Sequence, residues 1–406
     1  MSNSVAVSTV IYLSMFTLSV TSAVFAEKMF ENRDLVCLAK HLKTLRNEQR
    51  FYLYTGMAAT VCAIVLPCFL ASVRATSVGN DISVYVLPNY EIAQKMSASI
   101  QSFIEFQKVS NCELLFSLVV FLGAKIGSLS LIFFLIELLI IAPVYYSLWL
   151  ERDQLSLPAG LVIYYLLWYS FSLSGMRQSI AMSFILMAFV LWCQGKEKKK
   201  ILLSVVIAAL FHVSALLVVA IVFILCIINK VSYKKFKYMN LVVLLGLFIF
   251  YRVFENLLAG FLELVQPRYA QYIYENAETA MDFNSIPMTD LLAKTVPLIY
   301  ATFIIKKQMP SSTHSKHEKF ELSLSWLGRY FLLFMVNFKE SLRIAFYFDY
   351  IYILTLPRSF KIVKCNKNRK VTYMSIIILF GPLLAYWFYN YMVLGVYKTN
   401  IFLLSF

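Results

Sequence analysis

Charge is scarce in this chain: only 15% of its 406 residues are charged, against 60% hydrophobic, and mean hydropathy is +0.71. That scarcity excludes a soluble globular domain, which could not hide so much apolar surface. Short alternating strands are missing too. The apolar runs are about 20 residues long, the length of a spanning helix, where barrel strands would run about 10. Seven cysteines (37, 62, 68, 112, 193, 226 and 365) form no CxxC pair or metal-like spacing, and no disulfide framework is implied. No P-loop, GxSxG, HExxH or GxGxxG is present, which excludes the common nucleotide, hydrolase and zinc-protease motifs. No internal repeat is evident, which disfavours the many secondary transporters built from repeats. Met1 to Val5 carries no Lys or Arg. The first apolar run therefore reads as a retained helix rather than a signal peptide, although Val24-Phe25-Ala26 resembles a cleavage site.

What is present is a ladder of apolar runs separated by basic clusters. The expected fold is all-α: a single integral membrane domain over 1–406, with about ten transmembrane helices plus a re-entrant helical hairpin. The net charge of +15 does not imply nucleic acid, because the Lys and Arg residues sit in short clusters between apolar runs, as in cytoplasmic loops. The bilayer, with its acidic headgroups, is the expected polyanion. Spans are expected at about 5–26, 51–73, 129–150, 157–174, 179–194, 239–258, 286–305, 322–338, 344–357 and 371–393. Residues 201–229, flanked by Lys196–Lys200 and Lys230–Lys237, decide the topology. One crossing would put a basic cluster outside and invert every later loop. A bend near Phe211-His212-Val213-Ser214 keeps most of the 37 Lys and Arg inside. Two outer loops follow, about 74–112 and 259–285. In the first, Ile92, Met96, Ile100 and Phe103 recur at helical spacing, the pattern of an interfacial amphipathic helix.

Ionisable residues inside or at the edge of a bilayer are costly enough to be functional candidates. Arg74 follows the second span, with Asp81 and Tyr85 after it. The arginine suits a diphosphate and the acid suits a base, although a snorkelling Arg and an Asx turn fit the same residues. Arg177 lies at an outer turn inside an apolar stretch. Its guanidinium suits bidentate phosphate contact, with a buried pair to an acid as the alternative. His212, at the expected bend, lies about 18 Å along a helix from the cytoplasmic side. It suits a general base or a satisfied structural histidine. Arg343 opens a span in which Tyr347 and Asp349 follow, and pairing of Asp349 with Arg343 or Arg329 is the structural reading. Arg268-Tyr269 in the second outer loop pairs a cation with an aromatic. Glu137 is isolated in its span and has no assignment. Several arginines and few acids suit an anionic, lipid-anchored donor with a diphosphate leaving group, stabilised as an oxyanion hole stabilises charge.

Several segments then resemble the EpsG-like branch of Wzy-type polysaccharide polymerases. They are Arg74…Gly79-Asn80-Asp81…Tyr85 followed by Glu113, and Ser174-Gly175-Met176-Arg177-Gln178 with Phe211-His212-Val213-Ser214-Ala215. Arg268-Tyr269 with Tyr272 and Arg343-Ile344-Ala345-Phe346-Tyr347 complete the set. The spacing covers about 74–358. Asn80 stands where Thr or Ser is usual, and Met176 where Ile, Leu or Val is. The resemblance implies a metal-independent membrane glycosyltransferase of the bacterial inner membrane, with its active site facing the periplasm. It would transfer a growing glycan from undecaprenyl diphosphate to the next lipid-linked repeat unit. An O-antigen ligase or a flippase for lipid-linked oligosaccharide is the alternative. Asp81 and His212 are the candidate catalytic residues, with the choice of base open. Arg74, Arg177, Arg268 and Arg343 are the candidate diphosphate or sugar contacts. No metal and no cofactor is implied. The implied partners are the undecaprenyl-diphosphate-linked oligosaccharide, a chain-length regulator and the flippase of the same pathway.

Overall fold

The computed structural model describes residues 3–38, 45–229, 287–308, 315–334, 341–365 and 368–400, with Gly260 and Glu263. The expected span at 239–258, most of the second outer loop, and Arg268 within it lie outside the described residues. Every element among the described residues is helical. Among the described residues, six helices are long and apolar enough to cross a membrane: Val5–Asp34, Asn47–Ser72, Leu129–Leu150, Met176–Cys193, Met288–Lys307 and Arg369–Val393. Leu114–Ile126, Leu157–Ser172 and Ser214–Phe223 are apolar but shorter.

Helices α1 (Asn3–Leu38) and α2 (Leu45–Ser72) lie along one another. After the α2 end, a π-turn at Ile82–Val86 runs into α3 (Leu87–Gln94), followed by α4 (Ile100–Val109) and α5 (Leu114–Ile126). The single amphipathic helix expected across residues 92–103 is therefore two. Ser99 accepts the Ser102 N–H and caps α4, the role serine takes at helix starts. Lys125 donates to the Ala93 and Met96 carbonyls at the end of α3.

Helix α6 (Leu129–Leu150) packs on α2 and on the later helix Met176–Cys193. Helix α7 (Leu157–Tyr164) continues through a π-turn at Tyr165–Tyr169 into the short α8 (Ser170–Ser172). All five residues of that turn are buried. Between lipid-embedded helices apolar transfer gives little drive, so close packing and satisfied polar groups must hold them. Both are seen here. Phe16 stacks on Tyr165 at 4.5 Å between ring centres. Ser19 donates to the Ala63 carbonyl at 2.6 Å and lies 2.6 Å from the Tyr165 hydroxyl. Glu137 of α6 accepts from Tyr164 (2.5 Å) and Ser172 (2.9 Å).

Helix α9 (Met176–Cys193) is the central span, and α10 (Lys198–Phe211) packs along it. The helix breaks at His212, whose backbone is extended (φ −158°, ψ 117°), before α11 (Ser214–Asn229) begins. The remaining helices among the described residues include α12 (Met288–Gln308), α13 (Ser315–Phe334), α14 (Ser341–Asp349), α15 (Tyr352–Cys365) and α16 (Arg369–Trp387). The single span expected at 344–357 is instead divided after Asp349. Its carboxylate is drawn into buried ion pairs with Arg329 and Lys294 at the division.

Candidate functional site

Five segments of the sequence meet around one cavity of about 700 Å³. They are the loop, π-turn and α3 residues at 80–92, the end of α4 at 109–111, the turn at 171–178, the break at His212, and the start of α14. The first is placed by backbone contacts. Gly79 has φ +102°, a left-handed value that suits glycine, and a Cβ there would collide with the Leu173 carbonyl. Its N–H donates to the Tyr397 carbonyl at 2.9 Å, and the Asn80 N–H donates to Ser174 Oγ at 3.0 Å. The loop is thus seated on the turn that opens α9.

Asp81 completes that seat. Its Oδ2 accepts the N–H of Met176, the first residue of α9, at 3.1 Å. The helix has Gly175 at its cap position and no side chain of its own there, so Asp81 supplies the missing acceptor from another segment. Burial pushes the Asp81 carboxyl up to about 6, against the opposing pull of Arg177, the Met176 amide and Arg343. A carboxyl poised there is ionised at neutral pH yet basic enough to take a proton.

Arg177, one residue into α9, donates from Nη1 to Glu113 Oε2 at 2.8 Å. Its guanidinium lies 3.7 Å from the centre of the Tyr85 ring, a close cation–π contact. Arg177 thus has the buried acid partner of the structural reading, and it also lines the cavity. Gln178 donates to the Arg343 carbonyl at 2.8 Å and ties α9 to α14. Arg343 also lines the cavity, beside Phe346.

His212 is buried and lines the same space. Its Nδ1 lies 2.7 Å from Ser214 Oγ, which lies 2.9 Å from the Tyr347 hydroxyl. Asp81, Arg177, His212 and Arg343 are thus brought together. Arg74 is not. It is 2% exposed, 3.6 Å from Met176 Sδ and 4.6 Å from the centre of the Phe133 ring, behind the cavity wall. Arg268 lies outside the described residues.

Sequence reasoning also missed parts of the lining. Asn89, Ser110 and Asn111 face the cavity. Asn111 has φ 53°, in the left-handed region that asparagine tolerates better than most residues. The polar pattern at 89–111 held no spacing signal. Glu113 followed the first family-like segment without a role of its own, because its pairing spans 64 positions. Asp349 meets Arg329 rather than Arg343, in a buried cluster completed by Asp290 and Lys294 of α12. Among the described residues no group of His, Cys, Asp and Glu is arranged to hold a metal ion.

Comparison with curated proteins and with solved structures gives no match. A family model does match, and its span takes in all five segments that build the cavity. The chain, matched over residues 57–402, belongs to the EpsG family.

Proposed function

We propose that this protein is a membrane glycosyltransferase of the Wzy type, joining lipid-linked oligosaccharide repeat units on the outer face of the bacterial inner membrane. The glycan's anomeric carbon leaves the isoprenoid diphosphate and bonds to a hydroxyl of the next repeat unit, whose proton passes to a base. The observation that carries this reading is the convergence of Asp81, Arg177, His212 and Arg343 on one cavity. A site with two arginines and one carboxylate fits an anionic leaving group and a neutral acceptor. Arg177 and Arg343 hold the diphosphate and stabilise the charge that gathers as the glycosidic bond breaks. Asp81 is placed to take the acceptor proton. Sugars offer hydroxyls and apolar faces, which Asn89, Asn111 and the Tyr85 and Phe346 rings would meet.

Charge supports the outward assignment. Helix α9 spans about 27 Å from Met176 to Cys193, which separates the cavity from the Lys196–Lys200 cluster by nearly a membrane thickness. Lysine clusters favour the cytoplasm. Support for the re-entrant bend comes from the apolar groove where Val219, Val222 and Phe223 meet Trp192, Ile201 and Val205. The helix after His212 thereby returns toward the end from which α10 starts.

The test is the length distribution of surface and lipid-linked glycans in a deletion strain, complemented with wild type or with Arg177→Ala. Collapse of the polymer ladder to single repeats, restored by wild type alone, is expected. Normal-length glycan stranded on the isoprenoid lipid would instead indicate a ligase. Single repeats trapped on the cytoplasmic leaflet would indicate a flippase.

A further inference from the structure

We infer that His212 is held as the Nε2–H tautomer, so that it meets the substrate as a hydrogen-bond donor and not as the general base. The inference deepens the proposed function, on which its catalytic half rests; the tautomer itself rests only on geometry.

The decisive contact is from the backbone. The Ser214 N–H points at His212 Nδ1 at 3.3 Å. A backbone amide has only a donor to offer, so Nδ1 must accept. The Ser214 hydroxyl, 2.7 Å from the same nitrogen, then donates as well. Its oxygen in turn accepts from the Tyr347 hydroxyl at 2.9 Å. The chain of protons runs one way, from Tyr347 O–H to Ser214 O–H to Nδ1. Reversing it would set an Nδ1–H against the Ser214 N–H. With Nδ1 accepting, a neutral imidazole carries its proton on Nε2, at the opposite edge of the ring.

The fold makes this arrangement local and rigid. His212 is extended between two helices, and Ser214 is the first residue of α11. Its amide is one of the donors that a helix start leaves without an intrahelical acceptor. The imidazole takes that amide much as a capping side chain would. Tyr347 is one turn beyond Arg343 on α14, so one helix supplies both a cavity cation and the end of the relay. Ser214 and Tyr347 are positioning residues: they fix which edge of the imidazole is the donor. The base role then falls to Asp81. In the transfer step the acceptor O–H bond breaks toward Asp81, the new glycosidic bond forms, and the diphosphate leaves with its electron pair. His212 donates a hydrogen bond to that developing negative charge and loses no proton.

Two measurements test this on the full-length protein. The chain has four histidines, so replacing His41, His314 and His317 with Gln leaves His212 alone for nitrogen-15 NMR in lipid nanodiscs. An unprotonated Nδ1 and a protonated Nε2 at neutral pH are expected. A protonated Nδ1, with or without a protonated Nε2, overturns the tautomer. The second measurement is the initial rate of polymerisation of a synthetic diphosphate-linked repeat unit. His212→Ala should lose about 100-fold or more, the usual effect of removing one stabilising donor. His212→Gln, which restores an N–H near the Nε2 position, should stay within about tenfold of wild type. A His212→Gln rate as low as that of His212→Ala, at equal folded yield, overturns the donor role. Ser214→Ala keeps the amide but not the hydroxyl, and should keep the tautomer while losing rate. No polymer from wild type would defeat the proposed function instead, leaving the spectrum to decide the tautomer.

Discussion

Two groups of ionisable residues sit within a few helical turns of each other and differ in what surrounds them. Around the cavity, Arg177 and Arg343 face Asp81 and His212 across about 700 Å³, and Arg177 is paired with Glu113. Behind it, Asp290, Lys294, Arg329 and Asp349 are each at most 4% exposed, and their two acids and two bases neutralise one another. The cost of holding charge in a bilayer is met in both places, by different means. The closed cluster offsets it through mutual pairing and can only hold α12, α13 and α14 together. The cavity keeps cationic charge facing a space that a ligand can enter. Access, more than burial, separates a structural ion cluster from a site.

Substitutions that remove charge from each group would break or sharpen this contrast. The largest effect on activity is expected from Arg177→Ala, with polymer synthesis in membranes falling by about 100-fold or more. Adding Glu113→Leu to Arg177→Met should restore folded yield and leave polymer synthesis absent, since the pair is replaced but the cation is not. The closed cluster should behave in the opposite way. Asp349→Ala removes one partner and should lower stability by about 3–5 kcal/mol, read as a lower unfolding midpoint in detergent. The paired Asp349→Leu, Arg329→Met variant should recover most of that, with activity per folded molecule near wild type. Loss of activity in a well-folded paired variant would move this cluster into the mechanism.

A smaller effect should appear in the pH profile. Asp81 must be ionised to act as a base, and its pKa is raised to about 6. The rate should therefore be level above neutrality and fall about tenfold per pH unit below 6. Asp81→Asn should remove that limb along with most of the rate. The same raised pKa means that ionised Asp81 costs folding stability at neutral pH, so its own contribution to stability improves as pH falls through 6 toward the ordinary carboxyl range. Activity and stability should thus move in opposite directions there, and parallel loss of both would count against the base role. Smaller still, Gly328→Ala should lower stability by about 1–3 kcal/mol, because its Cβ would press on the Asp349 carboxylate. A chelator should leave the polymerisation rate unchanged, and sensitivity restored by a divalent ion would point to a metal-dependent transferase.

Much of the architecture was legible in the pattern of residues. Long apolar runs between basic clusters require helices with internally paired backbone, and the helix break at 211–214 falls where the bend was expected. The candidates Asp81, Arg177, His212 and Arg343 could be singled out because ionisable residues in apolar surroundings are conspicuous. Arg74 was conspicuous for the same reason, yet it lies against Phe133 and Met176 behind the wall. Sequence context showed that its charge was unusual and gave no direction for the side chain. Asn89, Ser110 and Asn111 escaped notice because neutral polar residues in a loop carry no such signal.

What the chain alone determined is its solvent and its element type, since hydropathy and helical length act through neighbours in sequence and need no tertiary contact. Which charges pair, and which face the cavity, was decided only by the folded arrangement. Glu113 meets Arg177 across 64 positions and Ser214 meets Tyr347 across 133. Such contacts depend on how helices pack side by side, where a rotation of one residue about the axis, roughly 100°, turns a side chain from cavity to wall.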